Sequence, residues 1–296
     1  PVDPDILARS YDVLIDRHES FRSTFSRKGD EICLQDSARG RFESRDISDL
    51  SAEEQQKYLE KLYDDIAVSP MDLEEGPLLF TWLIRLAPEA HQLVFAAHHV
   101  ICDGWSFGLL LKELAHIYSE GGVDSALPDA PSFLDFAERN FASEVINKDV
   151  DFWKAKFADL PPNLDLPLDF ARPAQRTFSG ARYDYSMDGE FLQKLKSASA
   201  QMKSSLVNVV LSAYSVLLHR LTGNEDIVIG LPVAGQAVLN ELTLIGHMVQ
   251  LLPIRVELQG STKFSDLLTQ VKGAVLDASE HPRFTYGELI KGLPVD

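Results

Sequence analysis

The sequence predicts an α/β protein built as two lobes, and three observations carry that prediction. Segments with a helical period and segments that read as strands interleave in both halves of the 296-residue chain. The stretch "PPNLDLPLDFARPAQRTFSG", residues 161–180, holds four prolines and shows neither a helical period nor strand alternation. Hydrophobic residues make up 45% of the chain, enough for a sizeable core on each side of that stretch. The expected organisation is an N-terminal lobe over 1–160, a linker over 161–180 and a C-terminal lobe over 181–296, with a cleft between the lobes.

The elements follow in order. Asp3 is an N-cap with Pro4 at the first helical position, and Leu7, Tyr11, Leu14 and Ile15 recur on one face up to Arg17 or His18. Ser51 and Glu54 form a capping box ahead of a helix carrying Leu59, Leu62, Tyr63 and Ile66. "PLLFTWLIRLAPEAHQLVFAAHHV" reads as a hairpin around "APEAHQ". "WSFGLLLKELAHIYSEGG" is a helix stopped by its double glycine, and "PSFLDFAERNFASEVINKDVDFWKAKFADL" is one long helix or two. Beyond the linker, "ARYDYSM" reads as a strand, followed by helices in "GEFLQKLKSASAQM" and "SSLVNVVLSAYSVLLHRLTG". Strands in "DIVIGLPVAG" and "MVQLLPIRVEL" and a helix in "TKFSDLLTQVKGAVLDASEH" complete the list.

Composition excludes some partners. Lys and Arg number 28 against 45 Asp and Glu, a formal charge of −17, which argues against binding a phosphate backbone. Two cysteines cannot build a disulfide framework, and a reduced, cytoplasmic setting is expected. No apolar run approaches the ~18–20 residues needed to span a bilayer. The start, "PVDPDILARSYD", has no signal-peptide features, and without an initiator Met the chain reads as part of a longer one.

The stretch "FAAHHVICDGWSFG", residues 95–108, ends an apolar strand in two imidazoles and turns on Asp103-Gly104. Alternation would point His98 and His99 to opposite faces if the strand continued through them. That weighs against a metal site built from His, Cys and Asp here, as does the lack of an H-E-x-x-H spacing. A histidine bonded to backbone beside a plain Asp-Gly turn is the blander reading. A His pair, an Asp and a Gly grouped after a strand fits a functional loop better.

These residues carry a resemblance. "HHVICDG" matches the HHxxxDG signature of condensation domains of nonribosomal peptide synthetases, members of the chloramphenicol-acetyltransferase-like acyltransferases. "RHESFRSTF" at 17–25 resembles that family's RHExLRTxF, and "FLDFA" at 133–137 its Y-x-D-[FY]-A. "VIGLPVAG" at 228–235 and "IGHMVQLLPIR" at 245–255 are similar to the segments around V-N-T-L-P-[LI]-R, with Gln250 where Asn is usual. "HPRFTYGELI" at 281–290 completes six motifs in order. The family's opening S-x-A-Q-x-R-L-W and its R-D-x-S-R-N-P-L are absent, so the domain, and its C-terminal lobe in particular, is expected to be truncated at both ends.

The resemblance implies a V-shaped pair of two-layer lobes with a central tunnel. It implies amide formation between a donor acyl thioester and an acceptor aminoacyl thioester. Both would arrive on 4'-phosphopantetheine arms of upstream and downstream carrier proteins, beside an adenylation domain, and the domain itself would bind no cofactor or metal. No nucleic acid or membrane partner is implied.

His99 is expected to face the tunnel as the catalytic group, its neutral imidazole accepting a proton from the amine or holding it in line. His98 is read as structural. Asp103 is expected to brace the loop through an ion pair with Arg17. Gly104 would leave room for the pantetheine arm or adopt a positive φ, and Trp105, Ser106 and Gln250 would line the tunnel. Cys102 reads as a small buried residue, and the remaining histidines, His247 among them, give no sign of a catalytic role. Glu19 and Trp105 resemble domains taking an L-configured or non-amino donor, and the segments at 245–255 and 172–181 those acting after polyketide modules. The alternatives are an epimerisation domain, disfavoured by the lack of an E-G-H-G-R-E-type segment, and a catalytically silent recruitment domain, disfavoured by the retained His99.

Overall fold

The computed structural model of the chain describes residues 2–36, 41–123, 127–140, 143–175, 177, 180–284 and 289. The chain forms two compact units, Pro1–Phe141 with Ala234–Val249, and Ala142–Val233 with Gln250–Asp296.

In the first unit, α1 (Pro4–Arg17) starts where the Asp3 carboxylate accepts from the Asp5 and Ile6 amides. It stops where His18 turns extended, and Leu7, Tyr11, Leu14 and Ile15 are its buried apolar face. A 3-10 turn, Glu19–Arg22, leads into β1 (Ser23–Phe25), antiparallel to β2 (Ile32–Leu34). Next come β3 (Arg41–Asp46), α2 (Ala52–Val68) with its Ser51/Glu54 capping box, and β4 (Leu79–Ala87). β3 and β4 are parallel, as a helical crossover permits, and β5 (Ala90–Ala97) folds back antiparallel on β4. α3 (Gly104–Ser119) and α4 (Phe133–Asn140) follow. Gly121 and Gly122, at φ of 78° and 87°, turn the chain away after α3 in a conformation that suits glycine.

One core joins α1, β4 and α3 through Tyr11, Leu14, Leu79, Leu83, Leu110 and Ile117, and it also takes in Ile245. Burial of these side chains, at about 1.5–3 kcal/mol each, is what fixes α3 against α1 and the sheet. The buried Tyr11 hydroxyl donates to the Leu79 carbonyl at 3.0 Å, so its polar tip is satisfied.

The second unit begins with α5 (Ser143–Lys156), α6 (Gly189–Gln201), α7 (Leu206–Thr222) and β6 (Asp226–Ala234). The chain then returns to the first unit for the short α8 (Gly235–Val238) and the loop after it. β7 (Val249–Glu257) pairs with β6, and α9 (Phe264–Glu280) closes the regular structure. Ile146, Val150, Trp153, Phe157, Leu252, Ile254 and Val271 share its core. Trp153, fully buried, donates its indole N–H to the His281 carbonyl at 2.9 Å, and His281 Nδ1 lies 3.0 Å from Asp149 Oδ1. Arg255 is gripped by both Asp226 carboxylate oxygens, at 3.0 and 2.7 Å, which with Asp159 hold its guanidinium firmly charged.

The lobes expected at 1–160 and 181–296 are divided differently. Residues 142–160 bury Val150, Trp153 and Phe157 in the second unit, while 234–249 belongs to the first. The expected strand at 181–187 is irregular: Tyr183 and Tyr185 are 89% and 75% exposed, so their alternation marks no buried face. The segment at 133–157 is two helices rather than one. Within the expected motif at 281–290, positions 285–288 and 290 lie outside the described residues, as do 176, 178 and 179 of the linker. Among the described residues, no single helix is long and apolar enough to cross a membrane.

Candidate active site at the His99 loop

β5 ends at Ala97, one residue before the histidine pair. Its last link to β4 is the His98 amide, which donates to the Leu78 carbonyl at 2.9 Å, and the Ile101 amide then closes a turn on the His98 carbonyl at 3.1 Å. The two imidazoles therefore sit at the first two positions of a turn, and strand alternation does not apply to them. His98, half-buried, folds back so that Nδ1 accepts from the Val100 amide at 3.2 Å. His99 is exposed at the tip of the turn.

Asp103 is the hub of the loop, although its partners are not the expected ones. It is 2% exposed and caps α3, with Oδ1 accepting from the Ser106 amide at 2.9 Å. Oδ2 accepts from the Met248 amide at 3.0 Å, and Gln236 Nε2 spans both oxygens at 3.2 and 3.1 Å. Burial alone pushes the Asp103 carboxyl up, but the Ser106 and Met248 amides with the Ser106 and Gln236 side chains outweigh it, so the group lies below its ordinary range.

The expected Asp103–Arg17 ion pair is thus replaced by a set of neutral donors. Arg17 Nε instead donates to Glu113 Oε2 at 3.1 Å, its guanidinium also reaches the Pro128 carbonyl, and the buried His18 Nε2 meets the same Glu113 oxygen at 2.7 Å. A tie between α1 and α3 exists, carried by Glu113. Glu19 Oε2 accepts from Ser132 Oγ and the Leu134 amide at 2.9 and 3.1 Å and so anchors the start of α4.

Ser106 is fully buried and lines no open space, contrary to the expectation for it. Its hydroxyl lies 2.8 Å from Asp103 Oδ1 and 2.9 Å from the Gly246 carbonyl, to which its single proton goes in turn, and it accepts from the Gly246 amide at 3.0 Å. Trp105 is 38% exposed and its indole N–H donates to the Leu242 carbonyl at 3.0 Å, so it is both surface and tether. Gly104 opens α3 without a positive φ, and a Cβ there would meet nothing within 4 Å. The left-handed backbone expected as one alternative for Gly104 is not adopted. Gln250 lies half-buried on β7, in the second unit. Burial first, and the Asp103 carboxylate second, push the Cys102 thiol up to about 12, so it is an inert core residue. Among the described residues, no group of three His, Cys, Asp or Glu side chains gathers as a metal site would need.

These bonds explain why 234–249 folds with the first unit. Gln236, Leu242, Gly246 and Met248 are all held by the His99 loop and α3, and Ser20 Oγ adds a bond to the Ile245 carbonyl at 2.7 Å. The contact is close enough to need glycine. A Cβ at Gly235 would overlap the Met248 carbonyl oxygen, and one at Gly246 would overlap the Phe133 ring. Gly235→Ala would push chiefly against the Met248 backbone, so a loss of about 1–3 kcal/mol is expected, read as a lower urea midpoint at unchanged slope.

The segment delivers a residue that sequence reasoning passed over. His247 Nδ1 lies 3.0 Å from His99 Nδ1, with the rings edge-to-face at 84° and centroids 4.9 Å apart. Its place inside a motif segment was the only available signal.

The condensation-domain family matches residues 1–296, the whole chain. The chain belongs to the condensation domains of nonribosomal peptide synthetases. It is 35% identical over 97% of its length to a linear gramicidin synthase polypeptide of Brevibacillus parabrevis, and 32% identical over 99% to surfactin synthase subunit 2 of Bacillus subtilis (strain 168). This condensation domain spans 4% and 8% of those two synthetases. In fold it is similar to the condensation domain from monacolin K polyketide synthase, with a TM-score of 0.81 at 22% identity, covering 98% of this chain and 68% of that one. It is also similar to the X-domain from teicoplanin biosynthesis, with a TM-score of 0.83 at 22% identity, covering 100% and 67%. The α/β, chloramphenicol-acetyltransferase-like fold follows from these likenesses. Condensation domains work beside carrier and adenylation domains in multidomain synthetases, and one solved structure similar to this chain is a four-domain synthetase.

Proposed function

We propose that the chain catalyses amide formation between a donor acyl thioester and the amine of an acceptor aminoacyl thioester, in the cytoplasm. Upstream and downstream carrier proteins present both on phosphopantetheine arms, with an adenylation domain adjacent. The observation that supports this best is the contrast within one loop: Ile101, Cys102 and Asp103 are buried, while the His99 imidazole is exposed at the tip. The buried part of the loop leaves the His99 ring accessible.

The amine nitrogen attacks the donor carbonyl carbon; a C–N bond forms and the C–S bond breaks. The proton lost by nitrogen passes to His99 and from it to the departing thiolate, so His99 ends the cycle neutral. Holding the amine in line carries part of the effect. On this reading the pantetheine arm passes beside Gly104, where a Cβ would meet nothing within 4 Å, and the half-exposed Trp105.

The test is incubation of the protein, within its full synthetase, with both loaded carriers, followed by mass spectrometry of the thioesters. Transfer of the donor mass onto the acceptor carrier is the expected result. Exchange of the acceptor α-hydrogen for deuterium without transfer would assign epimerisation instead. Neither event, with both carriers loaded, would assign a silent recruitment domain.

A further inference from the structure

We propose that His247 is a positioning residue that sets the tautomer of His99: His99 Nδ1–H donates to His247 Nδ1, which leaves the His99 Nε2 lone pair for the acceptor amine. The proposal rests on the reading of His99 as the group that receives the proton.

Two Nδ1 atoms 3.0 Å apart can share only one proton, because two hydrogens would collide and two lone pairs would repel. The contact therefore couples the tautomers of the two rings. With the shared proton on His99, its Nε2 is a bare acceptor, the form a general base requires. With the proton on His247, His99 would carry Nε2–H and could only donate. The perpendicular ring planes let an N–H in one ring plane meet the in-plane lone pair of the other, whichever ring donates; the lowered proton affinity of His247 is what favours His99 as the donor.

The surroundings keep His247 able to accept. Packing of its ring first, and then the neighbouring His99, hold it below the ordinary imidazole range, with Asp103 pulling the other way. A neutral His247 keeps its Nδ1 lone pair when His99 takes up a proton at Nε2, so the bond persists through the step.

The backbone around His247 is fixed on both sides. Ser106 holds the amide and carbonyl of Gly246, and Asp103 holds the Met248 amide. The buried Asp103–Ser106 pair thus aims the His247 ring at His99, which gives the Asp of the signature a route to the catalytic ring that involves no contact with it. A Phe at 247 would keep an edge-on ring and lose the acceptor. An Asn there could offer its side-chain oxygen near the position of Nδ1.

Long-range 1H–15N spectra of the protein labelled with 15N-histidine test this directly. The expected result at neutral pH is His99 with a protonated Nδ1 and an unprotonated Nε2. His247→Phe should mix the His99 tautomers and lower kcat for amide transfer at least about tenfold with KM for the loaded carriers unchanged, and His247→Asn should restore most of it. Wild-type His99 found with its proton on Nε2 would overturn the proposal, and so would an unchanged kcat in His247→Phe. The wild-type spectrum decides the tautomer even where a variant fails to fold. If His99→Ala retains full transfer, the catalytic reading fails while the spectrum still reports on the pair, so the two failures are distinguishable.

Discussion

His99→Ala is expected to slow amide transfer by about 10²–10⁴-fold, the range that a positioned acid–base group contributes. The fold should hardly notice. His99 is exposed, and its ring bonds the exposed His247, so a stability change within about 0.5 kcal/mol is expected. Single-turnover transfer between two loaded carriers, followed by mass spectrometry, measures the first effect, and a urea melt measures the second. A variant that melts as the wild type does and still transfers at the normal rate would remove His99 from the reaction. A variant that melts early would show that the turn at Ile101 depends on the ring, which the hydrogen bonds give no reason to expect.

Asp103→Ala should behave in the opposite way, with a large loss of stability of about 3–5 kcal/mol. The buried amides of Ser106 and Met248 would lose their acceptor, at about 1–3 kcal/mol for each stranded donor before relaxation, and the Gln236 side-chain amide would keep only longer contacts to Ser106 Oγ and the Gly246 carbonyl, at 3.5 and 3.4 Å. α3 would lose its N-cap as well, a cost of about 1 kcal/mol. Asp103→Asn keeps one acceptor oxygen but turns an NH2 toward the donors, and should fall between Ala and wild type. The sign with pH follows from the lowered pKa. The contribution of Asp103 is fully present above the unfolded carboxyl value of about 3.9 and is lost as pH falls through the lower folded value. Urea unfolding between neutral pH and pH 2 should therefore show a steeper decline at the acid end in the wild type than in Asp103→Asn, which keeps the decline due to other carboxylates such as Glu113.

Where local rules decide, the sequence was readable. The cap and face of α1, the capping box of α2, the β4–β5 hairpin and the glycine stop of α3 each depend on residues within a few positions of one another. β3 was missed because "RFESRD" is a polar strand at the edge of its sheet, with almost no buried face to set a period. Residues 181–187 failed the other way, since alternating tyrosines looked like a strand but stand in solvent.

The site divides along the same line. The contact of His98 is local, to the amide two residues on, and strand alternation, which divides the two histidines in the sequence, plays no part in it. The partners of Asp103 were not, because they sit at 236 and 248, far along the chain, and amides leave no mark in a sequence. Arg17 was matched to the wrong carboxylate for a related reason. Asp103 caps α3 and Glu113 lies within it, and only packing shows that Glu113 faces α1.

The chain passes from one unit to the other three times, at 141/142, 233/234 and 249/250. HHVICDG is therefore not a portable cassette. Cutting or swapping the polypeptide at the proline-rich stretch would carry the signature away from Gln236, Gly246, His247 and Met248, and Asp103 would be left buried among unmatched groups. In chimeric synthetases, an exchange that follows the compositional boundary should yield insoluble halves, while one that moves 234–249 together with the N-terminal segment keeps the loop and its clamp as one inheritance.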